Sequence, residues 1–361
     1  MSNDMIYFTA GPTETFPTLP AHMQKAMEDR IGSISHRGKE FKRIYEAAVT
    51  GLRTLLNIPA GHDIFFLSSA TECWERIIEN CVAGSSHHLV TGAFGAKFFD
   101  AAIALKKKST QSRVPDGEGF YIDQITIPHE AELIAVTHNE SATGVIMPPD
   151  AISKLAKKYP DKLLAVDCVS SLPYVDLDYG PLDAVYVSVQ KGFGLPAGLA
   201  ILIVSPRMIA RSAELQKKGI YTGGYRDFVT MQSLGREFQT YETPNVINLY
   251  LLNCVLKDML KTGIKKIREE TEQKHILLEQ LIETHPKLSY FVKDPIVRSK
   301  TVYVIEVEGG SGALILKMKN RGFEIGSGYG KHKDSTIRIT NFPAHSLDDM
   351  RYLIETIRKE L

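Results

Sequence analysis

Two residues of this sequence, a lysine and an aspartate, stand where apolar segments end and polar turns begin. Lys191 follows the mostly apolar segment 185–189 and opens a turn rich in glycine and proline. A lysine at the end of a buried strand loses hydration, which lowers the pKa of its amine. Such an amine is a nucleophile that can form a Schiff base with a carbonyl group. A turn lysine whose ammonium group lies in water explains the same residues.

Asp167 ends the apolar segment 163–166. An aspartate at the carboxyl end of a buried strand faces the crevice in which open α/β sheets bind ligands. Pyridoxal phosphate requires an amine that forms a Schiff base and a carboxylate that keeps its pyridine nitrogen protonated. Because an aspartate and a lysine at this spacing are common by chance, the pair predicts this chemistry only together with the rest of a cofactor site.

Three other polar loops follow predicted strands. Residues 68–72 lead into a helix, where free N–H groups and the hydroxyls of Ser69 and Thr71 suit a phosphate, although a plain helix cap, which is far commoner, explains the same residues. Phe94 lies between two glycines and either stacks on a planar cofactor or fills the core. The polar loop 137–144 follows another strand. The meeting of several such loops at one edge of a sheet favours a ligand site over packing.

Basic residues occur in two further places. His36 and Arg37 lie in a loop before a helix. Arginine binds phosphate or carboxylate through two parallel hydrogen bonds, but a solvated helix start accounts for the same residues equally well. Arg338 lies inside a predicted strand, where an arginine normally needs an anionic partner.

The elements that position these residues alternate between strand and helix from residue 63 to about residue 204. The predicted strands are 64–67, 88–90, 133–136, 163–166, 184–187 and 200–204, and the predicted helices include 72–82, 96–107 and 149–159. This alternation predicts an α/β fold with a mainly parallel, doubly wound sheet. Long helices at 246–260 and 264–283 follow, and then a smaller α+β domain with strands 302–307 and 337–340 and helices 312–320 and 346–359.

Composition narrows the function further. The 361 residues carry a formal net charge of +1, which gives no general attraction to nucleic acid or anionic membranes. No apolar run approaches the roughly 20 residues of a membrane span, and the amino terminus lacks a signal pattern. We therefore expect a cytoplasmic protein. Its four cysteines lack metal-ligand spacing, so we expect reduced packing residues and no metal.

In combination and order, these motifs resemble the class V family of fold-type-I pyridoxal-phosphate aminotransferases over nearly the whole chain. The matching motifs are Ala10-Gly11-Pro12, Ser35-His36-Arg37, Asn139-Glu140-Ser141, Asp167, Gln190-Lys191, Tyr241-Glu242-Thr243-Pro244, Gly328-Tyr329-Gly330-Lys331 and Arg338. The resemblance implies a large cofactor domain over residues 15–250 and a small domain formed by 1–14 and 251–361. It also implies a homodimer with active sites at the subunit interface.

The resemblance assigns a role to each motif residue. Lys191 forms the Schiff base, Asp167 pairs with the pyridine nitrogen, Phe94 stacks on the ring in place of the tryptophan that many members carry, and Ser141 bonds the ring hydroxyl. The cofactor phosphate is assigned to Ser69, Ala70, Thr71 and Gln190, and to Thr243 of the neighbouring subunit. Arg338 binds the α-carboxylate of the substrate.

Two subfamilies are similar, and they differ in substrate. The segment 35–41 resembles the subfamily that acts on phosphoserine, whereas the loop before Arg338 resembles the alanine–glyoxylate or serine–pyruvate group. A phosphate can use His36, Arg37 and His332 together, while the side chain of alanine has no use for cations. We therefore expect transamination between phosphoserine and 2-oxoglutarate, with alanine–glyoxylate or serine–pyruvate transamination as the alternative.

Two other classes of function are compatible with parts of the sequence. A non-enzymatic protein that binds a phosphorylated metabolite needs the 68–72 turn but neither Lys191 nor Asp167. A class V lyase of the desulfurase kind is disfavoured, because no cysteine stands in an obvious glycine-rich catalytic loop.

Overall fold

The computed structural model describes residues 5–361 and contains a large sheet and a small sheet with helices packed on their faces, together with a two-stranded antiparallel sheet formed by Asn139–Glu140 and Val145–Ile146. The strands are β1 (Ile6–Phe8), β2 (Asp63–Leu67), β3 (Ser86–Val90), β4 (Thr110–Arg113), β5 (Leu133–Thr137), β6 (Asn139–Glu140), β7 (Val145–Ile146), β8 (Leu163–Asp167), β9 (Ala184–Ser188), β10 (Ala200–Val204), β11 (Leu288–Tyr290), β12 (Val302–Val307), β13 (Phe323–Ser327) and β14 (Thr336–Thr340). The helices are α1 (Leu19–Glu28), α2 (Lys39–Leu56), α3 (Ala70–Cys81), α4 (Ala93–Ala104), α5 (Pro149–Lys158), α6 (Pro206–Lys217), α7 (Phe228–Arg236), α8 (Val246–Thr262), α9 (Ile264–Thr284), α10 (Gly312–Asn320) and α11 (Leu347–Glu360). Across residues 5–361, none of these helices combines the length and apolar composition of a membrane-spanning segment.

The large sheet has the strand order β2-β10-β9-β8-β5-β3-β4. Strands β9, β8, β5, β3 and β4 run parallel to one another, and β10 is antiparallel to both β2 and β9. Every residue of β5, β8, β9 and β10 is buried, as expected for strands of a sheet covered on both faces. The predicted mainly parallel, doubly wound sheet is therefore confirmed.

Each face of this sheet contributes to a separate apolar core. Along β9, Val185 and Val187 pack in the core beneath α2 and α8, whereas Ala184 and Tyr186 pack in the core that includes α3. Successive strand residues point to opposite faces, so one short apolar strand serves both cores. This two-sided packing holds the carboxyl end of the strand, where Lys191 begins its turn, in a defined position.

The small sheet has the order β1-β13-β14-β12-β11 and packs against α9, α10 and α11. Strand β1 pairs in parallel with β13, so the amino-terminal strand belongs to a sheet built otherwise from the last quarter of the chain. This pairing agrees with the assignment of residues 1–14 to the small domain, although residues 1–4 lie outside the described part of the chain.

The predicted domain boundary at residue 250 lies inside α8. Helix α8 continues to Thr262, and its residues Leu252, Val255 and Met259 pack in the core of the large sheet. A boundary near Gly263, between α8 and α9, follows the packing better. The division into two domains itself stays a prediction.

The predicted elements lie within a few residues of those in the structure, but several elements were missed. Strand β4 is an exposed edge with the sequence Thr-Gln-Ser-Arg, which carries no apolar alternation. Strands β1 and β11 have three residues each, too few for a recognisable period. Helices α6 and α7 follow the last predicted strand of the large sheet, where the alternation of strand and helix weakens.

Lys274 joins two parts of the small domain. This residue of α9 is only 1% exposed, and its Nζ donates hydrogen bonds of 2.8 Å to the carbonyl oxygens of Phe342 and His345. Both carbonyls belong to the connection between β14 and α11. Lys274 therefore fixes this connection to α9 and provides buried carbonyls with donors.

We expect Lys274→Met to destabilise the protein by about 2 kcal/mol or more, because it leaves two buried carbonyl groups without a donor while it keeps most of the side-chain volume. Urea unfolding measures this change. The control is Lys266→Met on the same helix, where the side chain is 65% exposed. Equal unfolding midpoints for the two variants would contradict the anchoring role of Lys274.

Candidate active site

A cleft of about 530 Å³, open to solvent, lies at the carboxyl ends of the central strands of the large sheet. It is lined by Ser69, Ala70, Thr71, Trp74, Phe94, Thr137, Asn139, Ser141, Asp167, Val169, Ser170, Ser188, Gln190 and Lys191. Strands β5, β8 and β9 end at this cleft with Thr137, Asp167 and Ser188. The structure thus brings together the eight predicted cofactor-binding residues that were assigned to one subunit, from Ser69 to Lys191.

Lys191 lies deep in this cleft and is 8% exposed. Burial lowers the pKa of its amine to about 8, and the neighbouring Asp167 opposes this shift. Gly11 makes room for the side chain: a Cβ atom at Gly11 would lie 2.7 Å from the Cε of Lys191, and the φ angle of +128° also favours glycine. A buried amine with a lowered pKa has the properties that the predicted nucleophile needs, and its position depends on Gly11, which the sequence marked only as part of a motif.

Asp167, at the end of β8, is 5% exposed, and its Oδ1 accepts a 2.9 Å hydrogen bond from the N–H of Val169. Burial raises the pKa of Asp167 to about 6, against the opposing effect of that N–H group and of Lys191. The group remains a carboxylate at neutral pH. A buried carboxylate near a buried amine is the pair that a pyridinium aldehyde cofactor needs.

Phe94 provides a flat surface in the same cleft, and Glu140 fixes its position. The Nζ of Lys191 lies 5.5 Å from the centroid of the Phe94 ring. Phe94 is in the first turn of α4, where the carboxylate of Glu140 accepts hydrogen bonds from the N–H groups of Phe94 and Gly95 at 2.8 and 3.1 Å. Glu140 thus caps α4 with a fully buried carboxylate, whose pKa burial raises. Glu140 stood in a predicted motif, but this function was not predicted for it.

The turn at Ser69–Thr71 presents the amino end of α3 to the cleft. The hydroxyl of Ser69 accepts a 3.1 Å hydrogen bond from the N–H of Glu72, so the helix-cap interpretation of this turn is correct. The same hydroxyl keeps its own proton for a ligand, and the helix dipole favours an anion. The two interpretations of this turn are therefore compatible.

Gln190 also lines the cleft, and its buried Oε1 lacks a hydrogen-bond partner among residues 5–361. Buried polar atoms normally have partners, so this side chain is consistent with a polar ligand. An amine, a carboxylate, an aromatic ring and a helix amino end thus meet in one cleft, and these residues fit pyridoxal phosphate.

Arg338 lies on β14 beside this cleft. Its Nε donates to the carbonyl oxygen of Ser327 at 2.8 Å, and its Nη1 donates to that of Ser141 at 3.2 Å. Within the described part of the chain, Arg338 forms no ion pair with a carboxylate. Its guanidinium therefore keeps an uncompensated charge next to a cleft residue, which suits a substrate carboxylate.

His36, Arg37 and Thr243 lie elsewhere and form a second cluster, which we call the surface cluster. The Nη1 and Nη2 of Arg37 donate to the carbonyl oxygens of Thr240 and Tyr241 at 2.7 and 2.9 Å. The Nδ1 of His36 lies 3.5 Å from the Oγ1 of Thr243. None of the three predicted residues lines the cleft of its own subunit. The structure thus groups Thr243, which the resemblance assigns to the neighbouring subunit, with His36 and Arg37.

His332 is not among the residues that line the cleft, although it was expected to bind substrate. Its Nε2 lies 2.9 Å from the Oδ2 of Asp116, and the Nζ of Lys331 lies 3.1 Å from the same oxygen. The ring of Phe291 packs edge-on against His332. Asp116 was missed because it is distant in sequence and belongs to the loop after the missed strand β4.

We expect Gly11→Ala to reduce the affinity for pyridoxal phosphate roughly tenfold or more, because the added methyl group displaces Lys191. Titration of the visible absorbance of the bound cofactor measures this affinity. Gly219→Ala is the control, since Gly219 also has a positive φ angle, +71°, but faces open space. An affinity for Gly11→Ala equal to that of the control would show that Gly11 does not shape the cleft.

We expect Lys191 of the cofactor-free protein to react with small aldehydes at unusually low pH. With a pKa of about 8, about one amine in ten is neutral at pH 7, against fewer than about one in a thousand for an ordinary lysine. Reductive methylation followed by peptide mass spectrometry measures this reactivity. Asp167→Asn should increase labelling at pH 7, because the carboxylate raises the pKa of the amine. If Lys191 became labelled only at the pH at which the exposed Lys266 is labelled, the prediction would be contradicted.

Comparison with known sequences gives a family. The sequence profile of the family described as Aminotransferase class-V matches residues 5–337. The chain is 27% identical over 359 residues to a phosphoserine aminotransferase of Rhodococcus opacus (strain B4), and the similarity covers 97% of this chain and 93% of that protein.

Solved structures give the same result. A phosphoserine aminotransferase from Cytophaga hutchinsonii ATCC 33406 is 42% identical with a TM-score of 0.98, and the match covers 99% of both chains. An aspartate aminotransferase from Thermus thermophilus has a TM-score of 0.86 at 20% identity over 99% of this chain and 100% of that chain, a likeness of fold alone. The chain belongs to the class V aminotransferase family and is a pyridoxal-phosphate-dependent transferase of fold type I.

Proposed function

We propose that this protein transfers the amino group of phosphoserine to 2-oxoglutarate in a two-stage, ping-pong reaction. The observation that carries the substrate assignment is the surface cluster, in which His36 and Arg37 lie against the segment that ends in Thr243. The similarity to proteins named phosphoserine aminotransferase at 27% and 42% identity supports it.

The cleft residues hold the cofactor in this proposal. The N–H groups and hydroxyls of the Ser69–Thr71 turn, with Gln190, bind its phosphate, and Thr243 of the partner subunit completes that site. Phe94 packs on the ring face, Ser141 bonds the ring hydroxyl, and the Asp167 carboxylate keeps the pyridine nitrogen protonated. When bound, the cofactor supplies an electron-withdrawing ring that stabilises negative charge at the α-carbon of an attached amino acid.

Lys191 acts as the base of the reaction. Its Nζ removes the proton from the α-carbon of the amino donor and returns a proton to the α-carbon of the oxo acid in the second stage. A pKa of about 8 places this amine close to neutral pH, where it exchanges protons readily in both directions. The tight contact with Gly11 limits the positions that the side chain can take.

The two ends of the substrate meet different cations. Arg338 binds the α-carboxylate that the amino donor and the oxo acid share. His36 and Arg37 of the neighbouring subunit bind the phosphate of phosphoserine. Arg37 donates to neutral carbonyl oxygens in the structure, so its positive charge is held in place without being neutralised.

A homodimer is part of the proposal. Exposed tyrosine rings lie on or near the surface cluster: Tyr221 is 67% exposed, Tyr241 is 59% exposed, and Tyr225 stacks on Tyr241 at 5.2 Å between ring centroids. Large exposed aromatic rings beside the segment that carries Thr243 suit burial against a second copy of the chain. We also propose a cytoplasmic location, which agrees with four cysteines that are free in the structure.

One observation favours the alternative, a transaminase of the alanine–glyoxylate or serine–pyruvate kind. Asp116 pairs with both Lys331 and His332, which balances the charge of the loop before Arg338. The phosphate of phosphoserine then depends on His36 and Arg37 alone. The choice between the two functions therefore turns on the contribution of those two residues.

The deciding experiment is the first half-reaction. We expect L-phosphoserine to bleach the visible absorbance of the cofactor-loaded protein rapidly, and L-alanine and L-serine to do so poorly. Arg37→Met should weaken the response to phosphoserine roughly tenfold or more, because it removes a charge-assisted contact with phosphate. Lys39→Met is the matched control, since it removes a positive charge two residues further along, at the start of α2, where the side chain makes no hydrogen bond to residues 239–241.

Other outcomes would redirect the assignment. Bleaching by alanine or serine with indifference to phosphoserine would place the protein in the alanine–glyoxylate group and leave His36 and Arg37 as structural residues. Persistence of the cofactor absorbance in Lys191→Ala would remove the catalytic role of that lysine. Steady release of sulfide from cysteine would indicate a lyase.

A further inference from the structure

The Ser69–Thr71 turn combines a site for a dianion with a nearby carboxylate. Lys191 is the only cationic side chain among the described residues that line the cleft. Glu72, in the first turn of α3, accepts hydrogen bonds from the N–H and hydroxyl of Ser68 at 2.9 and 2.7 Å. This places its negative charge next to the turn that receives the cofactor phosphate. An uncompensated carboxylate there would repel the phosphate.

Arg226 compensates this carboxylate. Its Nη1 lies 2.8 Å from the Oε1 of Glu72, and its Nη2 lies 3.0 Å from the Oε1 of Glu242. The side chain is only 12% exposed, so solvent and salt screen these ion pairs weakly. Arg226 thus lies between the carboxylate behind the Ser69–Thr71 turn and the residue that precedes Thr243.

One face of helix α3 holds the loop that carries Arg226 in place. Glu72, Arg76 and Asn80 follow each other at intervals of four residues and therefore lie on the same side of the helix. Arg76 Nη1 donates to the carbonyl oxygen of Gly223 at 3.5 Å, and Asn80 Nδ2 donates to that of Arg226 at 3.3 Å. The position of the loop therefore does not depend on the Arg226 side chain alone, which leaves that side chain a separable electrostatic role.

We propose that Arg226 is a positioning residue that neutralises Glu72 and so allows the amino end of α3 to bind the phosphate of the cofactor. The inference rests on the proposed role of the Ser69–Thr71 turn. In this proposal the positive charge that favours phosphate binding belongs to Arg226. Arg226 does not itself line the cleft and acts by neutralising the Glu72 carboxylate. The second ion pair of Arg226, with Glu242, also connects this charge balance to the segment that presents Thr243.

The experiment measures the dissociation constants of pyridoxal phosphate and of pyridoxal, which lacks the phosphate, by equilibrium dialysis of the full-length protein. For Arg226→Met we expect pyridoxal phosphate to bind roughly tenfold more weakly and pyridoxal to bind as in the wild type, because the exposed charge of Glu72 acts on the phosphate. The double variant Arg226→Met/Glu72→Gln should restore binding to within about threefold of the wild type, since it removes both charges.

Arg76→Met is the matched control. Arg76 also binds the loop that carries Arg226, but it pairs with Glu79 instead of Glu72. We therefore expect little change in the affinity for either compound. Weak binding that Glu72→Gln fails to rescue, or an equal loss in Arg76→Met, would show that Arg226 only holds the loop. Unchanged binding in Arg226→Met would overturn the inference outright. If wild-type protein bound pyridoxal as tightly as pyridoxal phosphate, the proposed phosphate site itself would be wrong.

Discussion

The burial of the Lys191 amine is the constraint on which the rest of the site depends. An amine in a low-dielectric cleft is tolerated only where carboxylates lie near it and where its stem has space. Asp167 and Glu140 supply the negative charges, and Arg338 adds a second cation beside the cleft. Gly11 supplies the space, and it brings the amino-terminal segment of the chain into the centre of the molecule. The two-sided core of the large sheet is what keeps these groups in register.

Much of this site was predictable because parallel strands share an edge. Once the apolar segments before Asp167 and Lys191 are recognised as neighbouring parallel strands of one buried sheet, their polar ends must meet, whatever the intervening helices do. The Ser69–Thr71 turn and Phe94 follow from the same argument. The bounds of the buried strands were also close, since short continuous runs of β-branched and apolar residues between turn signals are typical of strands buried on both faces.

Glu140, Asp116 and Arg226 were not predictable in this way. Each is a charged residue whose function depends on partners that are distant in sequence, such as the N–H groups of α4 for Glu140 or the Glu72 carboxylate for Arg226. No periodic pattern marks such contacts. The charges of residues 35–41 are compatible with either an anion site or a solvated helix start, and only the folded chain shows Arg37 bound to the carbonyl oxygens of residues 240 and 241.

The parallel pairing of β1 with β13 has a consequence for synthesis on the ribosome. Ile6 to Phe8 emerge first, yet their partners, Phe323 to Ile325, emerge near the end. Gly11, which accommodates Lys191, lies just after this first strand. The large sheet can form while the chain is still growing, but the strand must wait for its partner, since pairing across such a separation is slow and late. The strand that precedes Gly11 thus takes its place in the small sheet only in a nearly finished polypeptide.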